Sequence, residues 1–190
     1  MRLLLLIIFS FLVSFLPFSS LYSQPCDTNS LVTHKVSASI LDPSITPFEL
    51  NQHHAFFNSS CTPKNKLLFF LVGTSDNPKN IILFTEMAAN NGFHVISIKY
   101  VNNKSATTAC AADIDTTCYE NFHKEAIFGT DLCPTITIDS TNSIYTRSVK
   151  LLEHLSSNYP SENWNQFLIG NNIDWTKVTT AGHSQGSGHS

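Results

Sequence analysis

The chain is short of charge: Lys, Arg, Asp and Glu together make up only 13% of it, and no basic residues cluster. With 42% hydrophobic residues beside so little charge, the sequence is core-forming, which excludes both intrinsic disorder and a coiled coil. A formal net charge of −3 removes electrostatic support for binding nucleic acid or an anionic membrane. The five cysteines show no Cys-x-x-Cys spacing, so a structural zinc site lacks its usual frame and no metal is assigned. Internal repeats, low-complexity tracts and interdomain linkers are also missing, and a single domain is expected.

What is present begins with one long apolar run. Arg2 precedes Leu3–Phe9 and Phe11–Leu16, and Pro17, Ser19, Ser20 and Ser23 follow with a breaker and small residues. A positive start, an apolar stretch and a small-residue exit describe a secretory signal peptide over residues 1–23, leaving 24–190 as the mature part. The run falls short of the roughly 20 residues a bilayer span needs, so no stable membrane insertion is expected after cleavage. Cys26 follows a proline and is not in a lipid-attachment context. Loss of Arg2 takes the formal charge to −4. An extracellular or periplasmic destination makes disulfides the natural use of cysteine. As candidates, Cys110 with Cys118 would close a short loop and Cys26 could join Cys61, and Cys133 would then be expected to find a partner beyond Ser190. Asn58-Ser59-Ser60 and Asn103-Lys104-Ser105 fit the N-glycosylation pattern.

Along the mature part, Val32, His34, Val36, Ala38 and Ile40 alternate with polar residues, the period-two pattern of a half-exposed strand ended by Asp42-Pro43. Phe48–Phe57 reads as a second extended stretch. Leu67–Val72 is continuously apolar, as suits a central strand covered on both faces. A turn over Gly73–Pro78 leads to a helix with Pro78 in its first turn, Ile81, Phe84 and Ala88 on one face and Gly92 at its end. His94–Val101 is again strand-like, which makes a parallel β-α-β unit. Residues 102–140 lack a sustained period and read as an excursion from the sheet, with a short helix over Tyr119–Phe128. Ile144, Ser148, Leu151, Leu152 and Leu155 mark an amphipathic helix that Pro160 ends, and Trp164, Phe167 and Leu168 a shorter one before Gly170. Val178–Ala181 is the last strand.

That strand runs into Gly182-His183-Ser184-Gln185-Gly186, a G-x-S-x-G pentapeptide. Small residues surround the serine because bulky ones two positions either side collide when a chain reverses sharply from strand to helix. With the ordered set Asn51–His54, Leu67–Thr74, Gly92–Ile98, Cys118–Gly129, Arg147–Leu152 and Ala181–Gly186, the chain resembles the α/β-hydrolase superfamily, specifically its secreted, mostly bacterial members with a Gly-His-Ser-Gln-Gly elbow. The resemblance implies an α/β fold whose mostly parallel sheet is flanked by helices. It also implies a serine esterase-like hydrolase acting on a small-molecule or polymer ester. One departure is Val72-Gly73-Thr74-Ser75, where similar proteins often carry proline before the glycine and a second glycine after the threonine.

The chemistry follows from the serine itself. A hydroxyl is a weak nucleophile, so it needs a base to take its proton and donors to hold the oxyanion formed at the attacked carbonyl. Ser184 is the candidate nucleophile. The backbone N–H of Gln185 and the loop at Gly73 and Thr74 are the candidate oxyanion donors, and no cofactor is called for. The superfamily's order of serine, acid, histidine places both partners beyond Ser190, so this piece alone is expected to be inactive, with an exposed apolar edge. None of the eight histidines is recruited. His183 points away from the turn, His189 lies on the following helix, and His53 and His54, adjacent in an extended segment, face opposite sides and read as structural or surface residues. Asp139 and Glu153 read as a helix-start residue and part of a solvated face. The alternative is a non-catalytic secreted binding domain on the same scaffold, with the disulfide-rich excursion as its contact surface.

Overall fold

The computed structural model describes residues 26–190; the leader expected over 1–23 lies outside them. The alternating segment forms β1 (Leu31–Ser37), but its last apolar members leave the strand and wind into a single turn, α1 (Ala38–Leu41). The chain returns as β2 (Gln52–Asn58), shorter than the extended stretch expected from Phe48. β3 (Leu67–Leu71), a 3₁₀ turn at Pro78–Ile81, α2 (Ile82–Ala89) and β4 (His94–Ile98) make the strand-helix-strand unit. The excursion carries α3 (Ala106–Ala109) and α4 (Cys118–Phe128), and α5 (Ile144–Asn158) follows. A small ribbon of β5 (Leu168–Ile169) and β6 (Asn172–Ile173) precedes β7 (Val178–Gly182) and α6 (Gln185–Gly188).

Five strands form one sheet in the order β1-β2-β4-β3-β7. β3 lies parallel to both β4 and β7, whereas β1 with β2 and β2 with β4 are antiparallel. The sheet is therefore mixed, which corrects the expectation of a mostly parallel one. The connections explain the difference. Helices α2 and α5 lie in the crossovers that parallel neighbours need, while β1 returns into β2 through a loop with only one helical turn, which suffices for an antiparallel pair.

β3 and β4 are buried at every position, in keeping with helices on both faces. Leu67, Phe69 and Leu71 share a core with Leu151, Leu152 and Leu155 of α5. Leu68 and Val95 turn the other way, onto Ala88 and Ala89 of α2. Each fully buried leucine of α5 contributes about 1.5–3 kcal/mol of transfer free energy. Ser143 caps that helix by accepting from Thr146 N–H, and Pro160 starts a 3₁₀ turn just past its end. The inner face of α2 differs from expectation: Thr85, Ala88 and Ala89 are buried, while Phe84 is 40% exposed and rests its ring 5.0 Å from Phe70. The 3₁₀ turn through Ile81 advances each residue further round the axis than an α-helix does, so Ile81 is out of phase with the α-helical residues from Ile82 onward.

At the end where the parallel strands begin, aromatic groups close the sheet. Trp164 and Phe167 are fully buried and meet the ring of His94 edge-on at 4.7 and 5.0 Å. Glu162 ties the cluster together: its carboxylate accepts from Trp164 Nε1 at 2.6 Å and pairs with His34 Nε2 at 2.8 Å, and its backbone oxygen meets His94 Nε2 at 2.7 Å.

Disulfides join Cys26 to Cys61 and Cys110 to Cys118. The first anchors the segment before β1 to the end of β2; the second closes the loop between α3 and α4. Cross-links of this kind stabilise by about 2–4 kcal/mol, chiefly by restricting the unfolded chain. Cys133 has no disulfide partner among the described residues and is buried against Cys110, Cys118 and Phe122. The sequon at Asn58 is not available in the folded protein, because its amide nitrogen is buried and donates to Asp27 O and Asn90 Oδ1. Asn103 is exposed. No helix of the described residues is long and apolar enough to cross a membrane.

Candidate functional site

β7 runs beside β3 to the pair Leu71 and Gly182, and His183 N–H extends the ladder by donating to Leu71 O at 3.0 Å. At Ser184 the backbone breaks away, with φ 53° and ψ −124°. This combination lies outside the three wells open to L-residues and costs about 1–3 kcal/mol. The chain enters α6 at the next residue, Gly186 N–H returning to His183 O and Ser187 N–H to Ser184 O, both at 2.9 Å. The turn is so tight that a Cβ on Gly182 would sit 2.3 Å from the Gly186 carbonyl, and one on Gly186 would sit 2.1 Å from Leu71 O. Backbone blocks both positions, so they require glycine. Ser184 is left exposed, and no side chain hydrogen-bonds its Oγ among the described residues.

The loop after β3 forms the facing wall. A Cβ on Gly73 would lie 3.1 Å from Ser184 Cβ, so the loop passes directly against the serine. Thr74 Oγ1 donates to Gln185 Oε1 at 2.9 Å, and Ala106 N–H donates to the same oxygen at 3.0 Å. The Gln185 side chain thus fastens the loop and the start of α3 to the turn, and its Nε2 is buried without a partner among the described residues. The backbone N–H groups of Thr74 and Gln185 have no acceptor among the described residues. Two clefts meet at Thr74 and Ser184. One of about 280 Å³ runs along Gly73–Asp76 and His183. The other, of about 240 Å³, is lined by Ser105, Thr107, Tyr119, His123 and Gln185.

Polar groups lie buried beneath the loop. Lys99 is 2% exposed, and its ammonium donates to Asp76 O at 2.9 Å and Asn102 Oδ1 at 2.5 Å, with the Phe48 ring 4.3 Å away. Burial pushes its pKa down to about 8. Asn102 Nδ2 donates to Gly73 O at 2.6 Å and Asp76 O at 3.0 Å, and its carbonyl accepts from Ser75 N–H at 2.7 Å. Arg147 is fully buried and directs its guanidinium at four acceptors: Asn142 O, Asn142 Oδ1, Lys99 O and Pro47 O. Burial lowers its pKa to about 10, which keeps it charged at neutral pH.

The histidines take distinct places. His53 and His54 are both core residues of β2; His53 Nδ1 accepts from Lys99 N–H at 2.9 Å, and burial holds the pair at about 3 and about 4. His183 is exposed. His189 is buried against Tyr100, its pKa lowered to about 3 by burial, and its Nδ1 is 2.8 Å from Nδ1 of His123. Asp139 caps the 3₁₀ turn at Ser140–Asn142, and Glu153 faces Lys150 on the outer side of α5. No three His, Cys, Asp or Glu side chains converge in a way that would hold a metal ion among the described residues.

The structure thus brings together Ser184, Gln185, Gly73 and Thr74, and separately joins each of the two cysteine pairs. Sequence reasoning missed His123, which lines a cleft with Ser184, and the support formed by Lys99, Asn102 and Arg147. Nothing in the sequence signalled the last: Lys99 directly follows β4, a position where a surface lysine and a buried one look alike. No protein-family model matches the chain, and no curated protein shows significant similarity to it.

Proposed function

We propose that the protein is a secreted serine hydrolase of the α/β-hydrolase class, cleaving an ester or related acyl bond of a small molecule or polymer. The observation that carries the reading is the backbone of Ser184: a non-glycine residue held at φ 53° between a strand and a helix, its hydroxyl exposed. Strain of this kind persists only where the surroundings enforce it, and here two glycines with no room for a side chain do so. The unoccupied N–H groups of Gln185 and Thr74 are the donors the chemistry requires. Export is supported by the leader-like start and by two disulfides, which belong to an oxidising compartment.

In this mechanism Ser184 Oγ attacks the carbonyl carbon as its proton passes to a histidine, which the order serine, acid, histidine places after the nucleophile. The carbonyl π electrons move onto oxygen, and the resulting oxyanion accepts from the N–H groups of Gln185 and Thr74. Collapse expels the alcohol, protonated by the imidazolium, and leaves an acyl-serine. Water, deprotonated by the same histidine, then releases the acid and restores the hydroxyl. No metal or organic cofactor takes part in these steps. The full-length protein is expected to be labelled by a fluorophosphonate at Ser184, located by peptide mass spectrometry. Labelling that survives Ser184→Ala refutes the assignment.

A further inference from the structure

The loop from Gly73 to Asp76 holds its shape against the preferences of its own sequence. Ser75 sits at φ 59°, in the left-handed region, although it has a side chain. Two sets of hydrogen bonds offset this: the loop's own Asp76 N–H donates to Gly73 O at 3.2 Å, and a second, shorter set comes from beneath. Asn102 offers both amide hydrogens to the loop, one to Gly73 O and one to Asp76 O, while its backbone oxygen takes the Ser75 N–H. In a trans peptide the C=O and the following N–H point in opposite directions. With the Gly73 carbonyl drawn down to Asn102, the Thr74 N–H of the same peptide is turned away from Asn102, in a loop whose Gly73 lies against Ser184.

We infer that Asn102, with the Lys99 ammonium behind it, is a positioning residue that orients the Gly73–Thr74 peptide so that its N–H receives the oxyanion formed at Ser184. The inference rests on the hydrolase reading and adds to it the side chains that support the oxyanion donor. Lys99 strengthens the arrangement in two ways. Its charge on Asn102 Oδ1 polarises the amide and makes the Nδ2 hydrogens better donors. It also places a buried cation under the loop, hydrogen-bonded to no carboxylate among the described residues, and its field, offset in part by the nearby Asp76 carboxylate, favours negative charge above it. An ammonium removed from water is costly, and its only hydrogen-bonding partners among the described residues are Asp76 O and Asn102 Oδ1. Lys99 therefore spends both of its hydrogen-bonded contacts on this loop and on the residue that holds it.

The test compares Asn102→Asp and Lys99→Met with the unsubstituted full-length protein. The readouts are fluorophosphonate labelling rate at Ser184, kcat and KM on a small activated ester, and melting temperature. A carboxylate at 102 still accepts from Lys99 but has no hydrogen for the Gly73 carbonyl. Asn102→Asp is expected to lower labelling rate and kcat by about 10²-fold, as loss of an oriented oxyanion donor does, with KM changing less than about threefold. Lys99→Met keeps the amide donors and is expected to cost about 10-fold in kcat. A folded Asn102→Asp protein that labels and turns over at the unsubstituted rate overturns the inference. If that variant does not fold, an unchanged kcat in Lys99→Met overturns it. If the unsubstituted protein is not labelled at Ser184, the hydrolase reading itself fails and takes this one with it. Labelling that is normal in the unsubstituted protein and unaffected by either change removes the inference alone.

Discussion

Where β3, β4 and β7 begin, Trp164, Phe167 and the His94 ring pack against one another, and a single residue, Glu162, takes the Trp164 N–H on its carboxylate and meets His94 Nε2 with its backbone oxygen. Where β3 and β7 finish, the material is different: glycines without room for a Cβ, two residues at positive φ, and two buried cations whose hydrogen bonds run mainly to backbone carbonyls. The first end lowers free energy by packing of buried aromatic groups. The second holds strain and desolvated charge in place. The same strands thus carry stability at one end and a reactive geometry at the other, and substitutions at the two ends should separate these properties.

The largest effect is expected from Gly186→Ala at the strained end, because the added methyl would meet the Leu71 carbonyl at 2.1 Å and the turn must open. Fluorophosphonate labelling of Ser184 should fall by more than about 10²-fold, alongside a lower melting temperature. Normal labelling would mean that the turn is not what exposes the hydroxyl. At the packed end, Trp164→Ala should cost about 3–5 kcal/mol in urea unfolding while the labelling rate of the folded fraction stays within about twofold. A large change in that rate would show that the two ends are not separable.

Acid sharpens the contrast further. His53, His54 and His189 are held neutral, at about 3, about 4 and about 3, by burial, below the ordinary histidine value. Their folded pKa values are depressed, so the unfolded chain takes up protons first: stability is full above about pH 6.5 and falls as the pH drops toward the folded values. Between about pH 6.5 and 4.5 ordinary carboxylates remain largely ionised, and a falling melting temperature in that window reports the histidines. His94→Phe keeps the aromatic packing of the other end and should leave most of the slope in place. A flat profile in the unsubstituted protein would mean that these imidazoles are charged in the folded state.

Elements with strong periodicity were legible in the sequence. The uninterrupted run at Leu67–Leu71, the spacing from Ile144 to Leu155 and the glycines around Ser184 each encode their structure locally, and each is found where the pattern puts it. The order of the strands was not legible. Nothing within Gln52–Asn58 says that it pairs with β4 and not with β3, because that choice is made by tertiary packing and by the loops at either end. Burial of Lys99, Arg147 and His53 was equally hidden: hydropathy treats such residues as surface, and only the assembled carbonyl acceptors make burial of the two cations tolerable, while His53 is buried as a neutral ring that accepts from Lys99 N–H. Phe84 shows the opposite error: it shares a face with the buried Ala88 one turn on, yet its side chain is 40% exposed.

The Cys133 thiol, walled in by Phe122 and the disulfide that closes the α3–α4 loop, makes a built-in gauge of local opening. A thiol reagent reaches a sulfur at 1% exposure only when its cover lifts, so the modification rate counts those openings. The segment that flanks one cleft at Ser184 can therefore be timed without attaching a dye or touching the nucleophile.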